Sequence, residues 1–289
     1  MQASVAARAR VAAASRIALL SGFPPLVIVL LLLIMAGSAL MSGLSGFGFS
    51  AVGALCLILL PPKLGVPLLM TLSLANQTLS LGQLKADMQP LRQWWPDGPA
   101  PYLLGGLIGV PLGLAVLNGL PTTALMLVFG SFLVLYAAYS LLRPHIVRET
   151  VSGGWFASSV VGMAGGVIGG FTAFPGAAVV VWNGVRHTPK REARAIVQPY
   201  ILVLQLVSIL LLALEKPQTF SPLYWLLLAI TLPVVLPCTL LGVKLYHQLS
   251  DVNFRRVTFM LLGVSGVGLL IKAANSLPAI SHALKPLAL

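Results

Sequence analysis

Ten apolar stretches follow one another along this chain, over 24–44, 47–61, 64–84, 100–118, 121–142, 155–171, 173–185, 195–214, 221–246 and 254–274. A chain built this way has few options. Backbone N–H and C=O groups carried into a bilayer find no water, so each stretch must close its own hydrogen bonds as a helix. A crossing takes about 20 apolar residues, and most of the stretches come close to that length. Of the residues, 58% are hydrophobic and only 8% charged, against roughly 25% charged in a soluble domain. No window remains for a separate soluble domain. The fold class expected is an all-α polytopic membrane protein.

The second and seventh stretches are too short to cross, and each follows a glycine-rich junction with no polar loop. The first junction reads Gly43-Leu44-Ser45-Gly46-Phe47-Gly48-Phe49. The second, Gly162 to Gly176, reads GMAGGVIGGFTAFPG, with six glycines and no charge. Irregular backbone at membrane depth is tolerated only where protein encloses it or where it lines a cavity. Both junctions therefore read as discontinuous or re-entrant helices.

The two junctions belong to a longer repeat. Gly43–Ser50 aligns with Gly166–Ala173, and each is followed by a short apolar run and a basic turn, at Lys63 and at Arg186–Arg194. Pro111 and Gly113 in the fourth stretch match Pro237 and Gly242 in the ninth. The division is a basic tail over 1–23, a first repeat over 24–143, a linker over 144–154, a second repeat over 155–276 and a tail over 277–289. Five stretches per half is an odd number, so the halves are expected to be inverted, with a site near the midplane where they meet.

Net charge is +12, but the basic residues sit in short loops, at 85–92, 143–148, 186–194 and 244–256. That placement suits membrane orientation and anion attraction, not nucleic-acid binding. If all ten stretches cross, these loops share a cytoplasmic face and both termini face outward. Arg8, Arg10 and Arg16 oppose that arrangement, and counting each short pair as one span gives eight crossings. A cleaved signal over the N-terminal region is disfavoured, because its apolar character runs on into the Gly43 motif. Cys56 and Cys238 lie in apolar runs and read as small hydrophobes. No cofactor and no metal site is indicated.

A small oxyanion is the solute such junctions can hold. A half-helix N-terminus offers free N–H groups and about half a positive charge, and glycine lets an oxyanion approach the backbone closely. Candidate binding residues are Gly43, Ser45, Gly46 and Gly48 in the first junction, and Gly169, Gly170, Thr172, Pro175 and Gly176 in the second. Asn76 and Gln77 in the third stretch and Gln198 in the eighth add amides, which donate without the desolvation cost of a full charge. Interhelical bonding is an equal reading for these amides. No lysine or arginine falls in the middle of a stretch; Lys63, Lys244 and Lys272 sit near stretch ends, where snorkelling is the favoured reading, so main chain is expected to hold the anion. Arg186, Lys190, Arg191 and Arg194 form a basic turn that either marks topology or funnels anions. The six acidic residues, Asp87, Asp97, Glu149, Glu192, Glu215 and Asp251, all lie in loops or at stretch ends, which argues against a carboxylate relay. A proton carried with the substrate is the coupling left open.

The paired motifs GLSGFGF (43–49) and GMAGGVIGGFTAFPG (162–176), the basic turn HTPKREARA (187–195) and the repeated Pro/Gly helix resemble the TauE/SafE sulfite exporter family. The resemblance covers about residues 27 to 275. It implies movement of sulfite, sulfonates and related organosulfur anions across the inner membrane of a bacterium, by a secondary transporter. The second motif departs from the family's usual small-residue ending before its Pro by placing Phe174 there, so the substrate is not carried over with the family.

Rival readings remain. Gly43-Leu44-Ser45-Gly46 has the form of an intramembrane serine protease motif, but a serine nucleophile needs a base within reach. His145, His187, His247 and His282 all fall in loops, at a stretch end or in the tail. A carrier for carboxylates, a metal-cation carrier and a structural subunit are further alternatives. Cation sites recruit carboxylates, and none is available at depth. The partners expected are the small anion and the lipid bilayer, with no nucleic acid; a homo-oligomer is compatible with the sequence.

Overall fold

The computed structural model describes residues 24–83, 94–96, 98–142, 153–186, 188–245 and 251–276, with the side chains of Ser45, Gln83, Lys190, 251–259, 261, 262 and 265 outside that set. Eleven α-helices and no strand occur among the described residues. They are α1 (Pro25–Ser45), α2 (Phe49–Gly53), α3 (Cys56–Leu59), α4 (Pro62–Gln83), α5 (Ala100–Gly119), α6 (Thr122–Leu142), α7 (Trp155–Thr172), α8 (Gly176–Val185), α9 (Lys190–Glu215), α10 (Pro222–Leu245) and α11 (Asp251–Ser276). Proline opens α1, α4 and α10, where its missing N–H costs nothing. Among the described residues, seven helices are long and apolar enough to cross a membrane, and the 49–59 and 176–185 regions are shorter apolar pieces. The second predicted stretch is itself divided, into α2 and α3, by Ala54 and Leu55.

Burial follows a membrane pattern. Leu214 is 80% exposed, and Leu135 and Phe156 are each 69% exposed. The interior holds Ser42, Ser73, Asn76, Gln77, Thr172, Asn183, Gln198, Gln205 and Thr239. Apolar side chains facing outward and polar ones inward suit hydrocarbon surroundings, where the polar groups must find each other.

Helix pairing is reciprocal between the halves. The first helix of one half packs on the fourth of the other in both directions, α1 on α10 and α7 on α5. The fifth helices, α6 and α11, pack together, and the third helices, α4 and α9, meet in the middle. Glycine makes the closest of these approaches. A Cβ on Gly109 or Gly113 would collide with the carbonyl oxygens of Met163 and Val167, and one on Gly166 with that of Gly106. Backbone against backbone at this range is the use of small residues in membrane bundles. Gly43 serves the matching α1–α10 seam, where a Cβ would stand 2.6 Å from the Thr239 oxygen and 2.9 Å from the Gly242 Cα.

Candidate functional site

Both glycine-rich junctions are breaks in helices, and both are buried. At the first, the Gly46 N–H closes α1 on the Ser42 carbonyl at 2.7 Å with φ +78°, and Gly48 has φ +95°. Two left-handed residues so close together turn the chain sharply before α2 begins. At the second, Ala173 takes φ 60° and its N–H bonds the Gly169 carbonyl at 2.8 Å. A non-glycine residue in that region is held there by its surroundings, at a cost of about 1–3 kcal/mol. Thr172 Oγ1 accepts the Phe174 N–H at 3.1 Å and donates to the Ile168 carbonyl at 2.6 Å, finishing α7 locally.

A glutamine from the central helix of each half clasps that half's break. Gln77 Nε2 on α4 donates to the Gly46 carbonyl at 3.2 Å. Gln205 Nε2 on α9 donates to the Ala173 carbonyl at 2.7 Å. The breaks also touch each other, because Ser50 Oγ on α2 donates to the same Ala173 carbonyl. The Oε1 atoms of Gln77 and Gln205 and the Nε2 of Gln198 are buried without a hydrogen-bond partner. Such atoms are rare in folded proteins and each asks for an explanation.

These contacts correct two sequence correspondences. Gln77 pairs structurally with Gln205, not with Gln198. Gly43 corresponds to Gly170, not to Gly166, since Gly43 abuts Gly242 in one seam and Gly170 abuts Gly113 in the other. The glycine correspondence shifts by four residues, about one helical turn, because a run of glycines looks alike after each turn.

Arg194 is the larger correction. The stretch expected to begin at 195 is a helix from Lys190, so Arg194 lies one turn inside α9. It is 7% exposed, and its Nη2 donates to the Gly43 carbonyl at 3.3 Å. A Cβ on Gly46 would sit 2.7 Å from its Nε. Arg194 is therefore no part of an outer funnel, and a basic side chain does reach the first junction. A buried charged side chain in a membrane helix is costly and is seldom found there without a functional role. Of the other funnel residues, Arg186 is half-buried at the end of α8 and Arg191 is exposed; the Lys190 side chain lies outside the described residues.

The remaining predicted site residues divide between packing and the breaks. Asn76 Nδ2 donates to Ser42 Oγ at 2.7 Å, and its Oδ1 accepts from Thr239 at 2.8 Å, so its amide joins α1, α4 and α10. Gly169 packs under Pro175, whose Cα would lie 2.8 Å from an added Cβ. Gly176 opens α8 against Ile201 and Val197. Phe174, the departure within the second motif, turns toward α6 and meets Tyr136 edge-on at 5.7 Å. Gln205 is one of several polar residues in the eighth stretch, beside Gln198 and Ser208; its separation of 32 residues from Ala173, against 31 between Gln77 and Gly46, is the signal that sets it apart. Lys272, read as snorkelling from a helix end, donates to the Leu57 and Ile58 carbonyls at 3.2 and 2.8 Å and ties α3 to α11. The four histidines that a serine nucleophile would draw on lie outside the described residues, as does the side chain of Ser45.

The profile of the sulfite exporter TauE/SafE family matches residues 29–269, spanning both halves and both breaks. The chain belongs to the TauE/SafE family. Membership makes this a multi-pass integral membrane protein of a sulfite-type anion transport family, in keeping with the seven long apolar helices among the described residues. No curated protein and no solved structure matches this TauE/SafE chain.

Proposed function

We propose that this TauE/SafE protein is a secondary transporter for small sulfur oxyanions, sulfite and sulfonates among them, in the bacterial inner membrane. Its two halves act as inverted repeats, and the anion is held where their broken helices meet. One observation carries this reading: two breaks bonded to each other through Ser50 and Ala173, beside Arg194, the buried cation among the described residues. Broken helices at a repeat interface are where carriers bind charged solutes, and a guanidinium matches a planar or pyramidal oxyanion with paired donors. Glycine at 46 lets the Arg194 side chain come up against the main chain there.

The test is flux of labelled sulfite into liposomes holding the purified protein. Arg194→Gln is expected to lower the rate about tenfold or more, since the loss of one charged partner exceeds 1.4 kcal/mol. Equal flux through the variant would overturn the assignment of the site. Competition by methanesulfonate but not by acetate would favour sulfur oxyanions, and the reverse would favour the carboxylate carrier.

A further inference from the structure

The two breaks are related by the fold but differ in chemistry. Counting back equally from Gln77 and Gln205, the second half has Gln198 and Arg194 where the first has Met70 and Val66. Both Met70 and Val66 are fully buried. Since α9 reaches across to the other half, Arg194 stands at the first break, where it bonds the Gly43 carbonyl and flanks Gly46. Gln198 follows one turn later on the same helix face. It is 2% exposed and its Nε2 has no hydrogen-bond partner.

The second break is closed by side chains from both halves. The Ala173 carbonyl takes both Ser50 and Gln205, and the Phe174 N–H is taken by Thr172. Pro175 has no N–H, Gly169 is filled by the Pro175 ring, and Phe174 is packed on Tyr136. No buried cation stands there among the described residues.

We infer that the anion binds on one side only, at the first break, between Arg194, the Gln198 amide and the Gly46–Gly48 backbone, while the second break braces the bundle. This deepens the reading given under the proposed function and rests on it. The ligand class is a small oxyanion with two or more free oxygens, one set for the guanidinium and another for the amide. A duplicated fold thus carries a single site, with Gln205 as a positioning residue for Ala173.

The experiment is calorimetric titration of the purified full-length protein with sulfite and, separately, with methanesulfonate. Three variants are compared with the parent: Arg194→Gln, Gln198→Leu and Gln205→Met. Unliganded melting temperatures are recorded for each, to separate a folding defect from a binding defect. One-sided binding predicts that Arg194→Gln and Gln198→Leu each raise Kd about tenfold or more. Gln205→Met lowers the melting temperature and leaves Kd unchanged. Arg194→Lys, which keeps the charge and loses the fork, recovers part of the affinity. Should Arg194→Gln not fold, Gln198→Leu carries the test alone. The inference is overturned if Gln205→Met weakens binding as much as Gln198→Leu, or if Gln198→Leu binds like the parent. Absence of any titration signal from the parent would remove the proposed function along with it; equal weakening at both breaks would leave that function standing and remove only the asymmetry.

Discussion

At the scale of single residues, the first break turns on what fits beside Arg194. Gly46 needs glycine twice over, for its positive φ and for the 2.7 Å that would separate a Cβ from the guanidinium Nε. Gly46→Ala is expected to lose about 1–3 kcal/mol from backbone strain alone, and to displace Arg194 as well. A fall in the detergent melting temperature with loss of anion-induced stabilisation would show both effects. An unchanged melting curve would contradict the left-handed cap. The sequence shows that 46 is a glycine in a glycine-rich run. It does not show which glycine ends the helix, because any of Gly43, Gly46 and Gly48 could have done so.

At the scale of elements, glycines on one helix have opposite roles. On α1, Gly37 has nothing within 4 Å of where its Cβ would be, whereas a Cβ on Gly43 would meet the Thr239 oxygen at 2.6 Å and the Val243 nitrogen at 2.9 Å. Gly37→Ala is expected to be neutral or stabilising by up to about 1 kcal/mol through helix propensity. Gly43→Ala is expected to cost about 1–3 kcal/mol, because the obstacle is backbone that cannot rotate away. Paired thermal melts of the two variants make the comparison, and a similar response at both positions would refute the α1–α10 seam. Helix limits were readable to within a few residues from apolar length and from proline starts. The start of α9 was not, since five residues from Lys190 to Arg194 look like a loop until packing buries the last of them.

For the whole molecule, reciprocal pairing of first with fourth helices is what a duplicate related by a two-fold axis produces. If the halves are inverted, Lys63 near the start of α4 and Glu192 near the start of α9 lie toward opposite membrane faces. Both are exposed. Lys63→Cys and Glu192→Cys should therefore react with an impermeant maleimide from opposite sides of sealed vesicles. Labelling of both from one side would rule out inversion. Of the six acidic residues, the side chains of Glu192 and Glu215 are described, and both are exposed at the ends of α9.

The sequence by itself determined the class of fold, the number and limits of most helices, the two breaks and the family. These follow from local quantities: apolar length, glycine and proline placement, and the obligation of each span to satisfy its own backbone. Only the tertiary structure decided which polar groups meet. Gln205 clasps Ala173, Asn76 is spent on Ser42 and Thr239, and Arg194 crosses from one half to the other half's break. Those partners lie far apart along the chain, and periodicity within one helix carries no information about the helix it faces.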